Sequence, residues 1–150
     1  MAVIKTYSEL YKVLEKATEN AIDKVAIDIE NLINDFLQKW YDDYNPKVYQ
    51  RTYQFLNSCA RINTTNIGGI IKATVLIDTS TDYGDVTGLE VANWANQGIH
   101  GNPETYGRRG YTRLEFWNAP IETIKYYQMV QTNFIEYLKN NGLNVIYKGR

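Results

Sequence analysis

Cysteine and histidine are almost absent from this chain: one of each stands in 150 residues, with only three prolines. The lone thiol, Cys59, cannot form an internal disulfide, which fits a reducing compartment. One imidazole and one thiol cannot build a zinc site without carboxylates. No stretch approaches the roughly 20 apolar residues that span a bilayer. The opening MAVIKTYSEL has no long apolar run of the signal-peptide kind, so the expected site of folding is a cytoplasm. Neither sign of charge dominates, with 16 basic and 17 acidic residues and a net charge of −1. No long-range field should draw the whole molecule to nucleic acid or anionic lipid, which leaves only a local basic patch open.

The scarcity extends to catalytic groupings. His100 lies in Gly-Ile-His-Gly, which reads as a turn, and nothing pairs it with a nucleophile. The segment Asp78 to Leu89 has the acids of a calcium loop but not its spacing. Tyr83 occupies the sixth position, where the sharp turn needs glycine, and Leu89 the twelfth, where an acid should close the loop. Gly107-Arg108-Arg109-Gly110 is too short for a phosphate loop and has no lysine. Asn63-Thr64-Thr65 matches a glycosylation acceptor, but without a secretory signal it carries no weight. The expectation is a protein that is not an enzyme and uses no cofactor and no metal.

What the chain does have is tyrosine, 13 residues, together with three tryptophans. Both offer large rigid contact area with one polar tip, suited either to a core rim or to a surface buried against a partner. It also has helical periodicity from the start. Thr6 and Glu9 have capping-box spacing, and Leu10, Val13, Leu14 and Ala17 follow at steps of three and four. A longer stripe continues through Ile22, Val25, Ala26, Ile29, Leu32, Ile33, Phe36, Trp40 and Tyr44. These positions predict one long helix to about Tyr44, or two abutting helices with a break near Thr18, ended by Pro46.

Residues 49–58 read either as a short turn or as an extended entry into a sheet. Strands are predicted over about 58–64 and 70–78, joined by a turn at Asn66-Ile67-Gly68-Gly69. In the second, Ala73, Val75 and Ile77 alternate with Lys72, Thr74 and Asp78. Residues 79–88 are a polar loop, 89–97 a short helix stopped by Gly98, and 98–110 a long glycine-rich loop. Tyr111 to Trp117 alternates as a third strand. A final helix takes Asn118 as N-cap and Pro120 in its first turn, buries Ile121, Ile124, Tyr127, Val130, Phe134 and Leu138, and stops at Asn141-Gly142. Leu143 to Tyr147 either adds an edge strand or packs down. The sum is one α+β domain over 1–150: a small antiparallel β-sheet flanked by a long N-terminal helix and a long C-terminal helix.

One cluster stands out beside the long loop. Tyr106, Arg108, Arg109, Tyr111 and Arg113 fall within eight positions. Arg and Tyr are enriched at binding hot spots. The same side chains could instead be solvated, or could contact phosphates and stack on bases as a nucleic-acid-binding accessory protein would.

The stretch from Trp40 to Ser58 carries a family likeness. Tyr44, Pro46, Tyr49, Arg51, Thr52 and Ser58 stand in the order Tyr-x-Pro-x-x-Tyr-x-Arg-Thr … Ser. This resembles the head–tail joining and tail-completion proteins of long-tailed bacteriophages and Gram-positive prophages, in which a long N-terminal helix runs into such a segment and then a β-hairpin. Trp94-Ala95 and Gly98 to Gly101 resemble that family's short helix and glycine turn, and Phe116 to Pro120 echoes it more weakly. Tyr53 departs from it, standing where glycine often follows Arg-Thr, and the Tyr106–Arg113 insert has no counterpart there. The resemblance implies a virion structural protein assembled in the host cytoplasm, forming a ring at the neck or in tail completion. Implied partners are copies of itself and neighbouring connector, tail-terminator or tail proteins, with DNA only passing through the lumen and no membrane. Trp40, Tyr44, Tyr49, Arg51, Tyr106, Arg108, Arg109, Tyr111 and Arg113 are the expected interface residues.

Overall fold

A computed structural model describes residues 4–42, 53–99 and 117–146. The N-terminal stripe folds as a single helix, α1 (Tyr7–Asp42), of 36 residues. There is no break at Thr18, whose hydroxyl donates to the Leu14 carbonyl, 2.7 Å away, without interrupting the helix. The capping box holds its start: the Glu9 amide donates to Thr6 Oγ1, and Glu9 Oε2 accepts from the Thr6 and Lys5 amides.

At 1.5 Å per residue α1 is roughly 54 Å long, and no other described element is comparable. A 3-10 turn (Phe55–Asn57) leads into the antiparallel hairpin of β1 (Cys59–Ile67) and β2 (Ile70–Ile77). Residues 53–58 are therefore turn rather than extended entry. The connection is shorter than the sequence suggests, because Ile67 pairs with Ile70 and only Gly68 and Gly69 remain between them. Both glycines have positive φ (61° and 82°), as a two-residue hairpin turn requires. A bulge puts one extra residue into β1 between Ile62, opposite Thr74, and Thr65, opposite Lys72.

Helix α2 (Gly88–Asn96) starts from a second capping box, Thr87 with Glu90, and ends where Gly98 turns to φ 70°. The C-terminal helix is where expectation and structure part. It is two helices, α3 (Asn118–Tyr126) and α4 (Met129–Asn140), separated by Gln128 in the left-handed region at φ 47°. Tyr127 and Val130, expected in the buried stripe, stand exposed at this break, at 68% and 46%. Ile121, Ile124 and Tyr127 recur every three residues, while Val130, Phe134 and Leu138 recur every four. Steps of three and of four drift opposite ways, by about 60° and 40°, so all but Ile121 would fall within about 120° on one straight helix, and the spacing does not itself call for the break. Asn118 is also not the cap of α3. Trp117 holds that position, and Asn96 Oδ1, from the end of α2, accepts from the Trp117 and Asn118 amides. Gly142, at φ 82°, closes α4, and Leu143 and Val145 then pack down without forming a strand.

Two apolar clusters sit along α1. Ile33, Leu37, Trp40 and Tyr41 join Phe55 and Ala95, with Val75, Ile77 and Trp117 around them. Ala17 and Ala21 join Leu138, with Phe134 and Leu143. Leu37 rather than Phe36 is the fully buried residue of its turn. The predicted third strand and most of the long loop lie outside the described residues.

Two backbone positions yield predictions. A Cβ on Gly88 would stand 2.6 Å from the Thr79 carbonyl oxygen and 2.8 Å from that of Thr81. Gly88→Ala should therefore cost about 2 kcal/mol or more in urea unfolding, since backbone and not a flexible side chain must yield. Gln128→Gly should stabilise by about 0.5–1 kcal/mol, because only glycine occupies that region without a Cβ penalty. An unchanged midpoint for Gly88→Ala, or a lowered one for Gln128→Gly, would contradict these assignments.

Candidate assembly surface

Polar pins lock α1 to its neighbours on two sides. On the hairpin side, Arg61 Nη1 lies 2.6 Å from Asp23 Oδ1, and Arg61 Nε lies 3.4 Å from Glu30 Oε2. Thr64 Oγ1 donates to the same Asp23 oxygen at 2.9 Å. Nearer the hairpin tip, Asn66 Nδ2 donates to Glu15 at 2.6 Å and Glu19 at 2.8 Å. On the other side, Asp28 Oδ2 accepts from Asn133 Nδ2 and Tyr137 Oη of α4, both at 2.7 Å. The Lys24 ammonium sits 5.3 Å from the Tyr137 ring centre, favourable for a cation over a π face. The hydrogen bond to Asp28, with burial and the negative charges of Asp28 and Glu136, pushes the Tyr137 hydroxyl up to about 12.

Between hairpin and α4 runs a half-open apolar groove of about 290 Å³, floored by α1 at Ile22, Val25, Ala26 and Ile29 and flanked by Ala73, Val75, Val130 and Phe134. Tyr7, Tyr11, Leu14 and Thr18 continue the line of Ile22, Val25 and Ile29 toward the N-terminus at steps of four and three. Here the cover stops. Tyr7 is 92% exposed, and Leu10, Tyr11, Val13 and Leu14 are exposed beside it. The hairpin tip borders them: a Cβ on Gly69 would meet the Tyr11 hydroxyl at 3.2 Å, and Ile67 and Ile70 stand out at 77% and 74% exposure. The first turns of α1 and the tip thus form an apolar surface that no described element covers. Leu10, Val13 and Leu14 have core spacing in the sequence, but no described element reaches far enough along α1 to bury them.

Of the expected interface residues, Trp40 is 6% exposed and packs edge-on against Tyr41 and Phe55, with ring centres 5.0 and 5.9 Å away. It belongs to the chain's own core and offers no surface to a partner. Tyr44, Tyr49, Arg51, Tyr106, Arg108, Arg109, Tyr111 and Arg113 lie outside the described residues, as does His100. Cys59 is half-buried, its Sγ 4.0 Å from the Glu30 carbonyl oxygen. Burial and the nearby Glu30 charge push the thiol up to about 11, so it stays protonated and poorly nucleophilic at neutral pH. Three carboxylates of the 79–87 loop and its flanks serve local structure. Asp78 accepts from the Ser80 amide and Asp82 from the Gly84 amide, while Glu90 caps α2. Hydrogen bonds from Ser80 hold Asp78, and those from Thr87 hold Glu90, below the usual carboxylate range. Among the described residues no group of three His, Cys, Asp or Glu could hold a metal, and no helix is long and apolar enough to cross a membrane.

A long helix carrying a hairpin and a C-terminal helix pair, with an apolar end left open, defines an α+β protein whose most prominent surface is suited to contact. The chain belongs to the YomN family, whose model matches residues 6–140, nearly the whole of the described fold. The family name derives from Bacillus phage and prophage, and the protein is phage-associated. No curated protein and no solved structure matches the chain.

The Asp28 pin sets a pH dependence. A folded-state tyrosine held at about 12, against about 10 unfolded, keeps its contribution to stability up to pH 10 and loses it as pH rises toward 12. Asp28→Asn should bring the Tyr137 titration back down and flatten that loss. Ultraviolet absorbance titration against a Tyr137→Phe control measures it, and identical alkaline curves for Asp28→Asn and wild type would refute the pin.

Proposed function

We propose that this YomN-family chain is a non-enzymatic structural component of a phage particle, one subunit of a ring at the neck or in tail completion. The observation that carries this reading is the uncovered apolar end of α1 with the hairpin tip beside it. Monomeric proteins rarely leave contiguous apolar patches beyond a few hundred Å² unless a partner covers them. The order Tyr44, Pro46, Tyr49, Arg51, Thr52 supports the same reading through its likeness to head–tail joining proteins, as does phage-family membership.

A ring requires a heterologous contact that closes on itself, and a rigid helix longer than the body around it presents one surface at a distance from the rest. A net charge of −1 suits a subunit around passing DNA, which must not be gripped. The neighbours in this reading are further copies, connector, tail-terminator and tail proteins. Gold-labelled antibody on purified phage-like particles, viewed by negative-stain electron microscopy, tests the assignment. Label should fall at the head–tail junction or the adjoining end of the tail. A protein abundant in the cell yet missing from particles would overturn it.

A further inference from the structure

We propose that the N-terminal turns of α1 and the hairpin tip form the contact between two copies of this chain. The choice of a second copy as occupant rests on the assembly reading above; the surface itself rests on the geometry.

Three features of the surface argue for it. The first is extent. Tyr7, Leu10, Tyr11, Leu14, Ile67 and Ile70, at their observed exposures, present on the order of 700 Å², close to one partner's share of a standard interface. The second is width. Around the helix the exposed apolar side chains run from Tyr11, beside the hairpin, through Tyr7 and Leu14 to Leu10 and Val13. That arc is broader than the two-position seam one partner helix covers, and fits a body made of helix and hairpin together.

The third is charge. Lys5, Glu9, Lys12, Glu15, Lys16 and Glu19 fall on the opposite side of the helix, three of each sign, so the patch itself is uncharged. A strongly acidic or basic partner, nucleic acid included, gains nothing from it. Two exposed tyrosines at the centre supply the anchors that interfaces favour.

Sedimentation velocity of the full chain over a concentration series tests the proposal. Wild type should rise above the 17.4 kDa monomer with concentration. Leu10→Glu with Leu14→Glu should weaken association by at least about 100-fold, because each carboxylate must be dehydrated at the contact, while the helical circular dichroism stays unchanged. Tyr7→Glu, at the most exposed position of the patch, gives the same readout should the double variant lose its fold. A wild type that stays monomeric at every concentration overturns the proposal. So do folded variants that associate as tightly as wild type. Association that these substitutions abolish, in a protein absent from particles, upholds the contact and removes only the virion role.

Discussion

A single helix of 36 residues has to be made soluble along its length by elements much shorter than itself, and the rest of the molecule is organised by that requirement. The hairpin and the α3–α4 pair take two sides of α1, and the turn at Phe55 with α2 closes its C-terminal end. Apolar burial alone would let these pieces slide along the helix, since the hydrophobic effect has no direction. The carboxylates on α1 remove that freedom. Asp23 and Asp28 lie five residues apart and point to opposite neighbours, one to Arg61 and Thr64, the other to Asn133 and Tyr137. Each accepts two hydrogen bonds while partly shielded from water, where charge-assisted bonds are stronger and misplacement is costlier. The pins fix the longitudinal position of both partners, and so fix how much of α1 is left over.

Much of this was written in local sequence. The α1 stripe, the Thr6–Glu9 box, the hairpin and the stop at Gly98 are set by neighbours a few residues apart, and such signals can be read one element at a time. The break at Gln128 was not written there, since the apolar steps fit one amphipathic helix and no glycine or proline marks it. Capping of α3 by Asn96 could not be read in this way. It depends on the end of α2 meeting the start of α3 in space, across residues 97–117.

The candidate surface was legible in composition and not in position. Abundant tyrosine and apolar helix positions pointed to contact, but spacing cannot distinguish a stripe that the chain covers from one it leaves open. Leu14 and Ala17 stand three residues apart on the same face. One is exposed, and the other is buried against Leu138 of α4. Trp40 shows the converse, a residue type favoured at interfaces that the fold uses internally.

The bulge in β1 gives the hairpin tip its character. Before it, Cys59 and Arg61 face α1; after it, Thr64 and Asn66 do. An uninterrupted strand would turn Ile67 inward and Asn66 out, the ordinary arrangement for a sheet on a core. One inserted residue inverts this, spending a polar side chain on the helix and leaving an isoleucine to the solvent. The stickiness of the tip is therefore a matter of parity rather than composition. A single-residue deletion at Asn63 or Thr64 would remove the bulge and restore regular pairing with Asn66 still on the helix and Ile67 still outward, so the strand can be shortened there without changing which side chains the tip exposes.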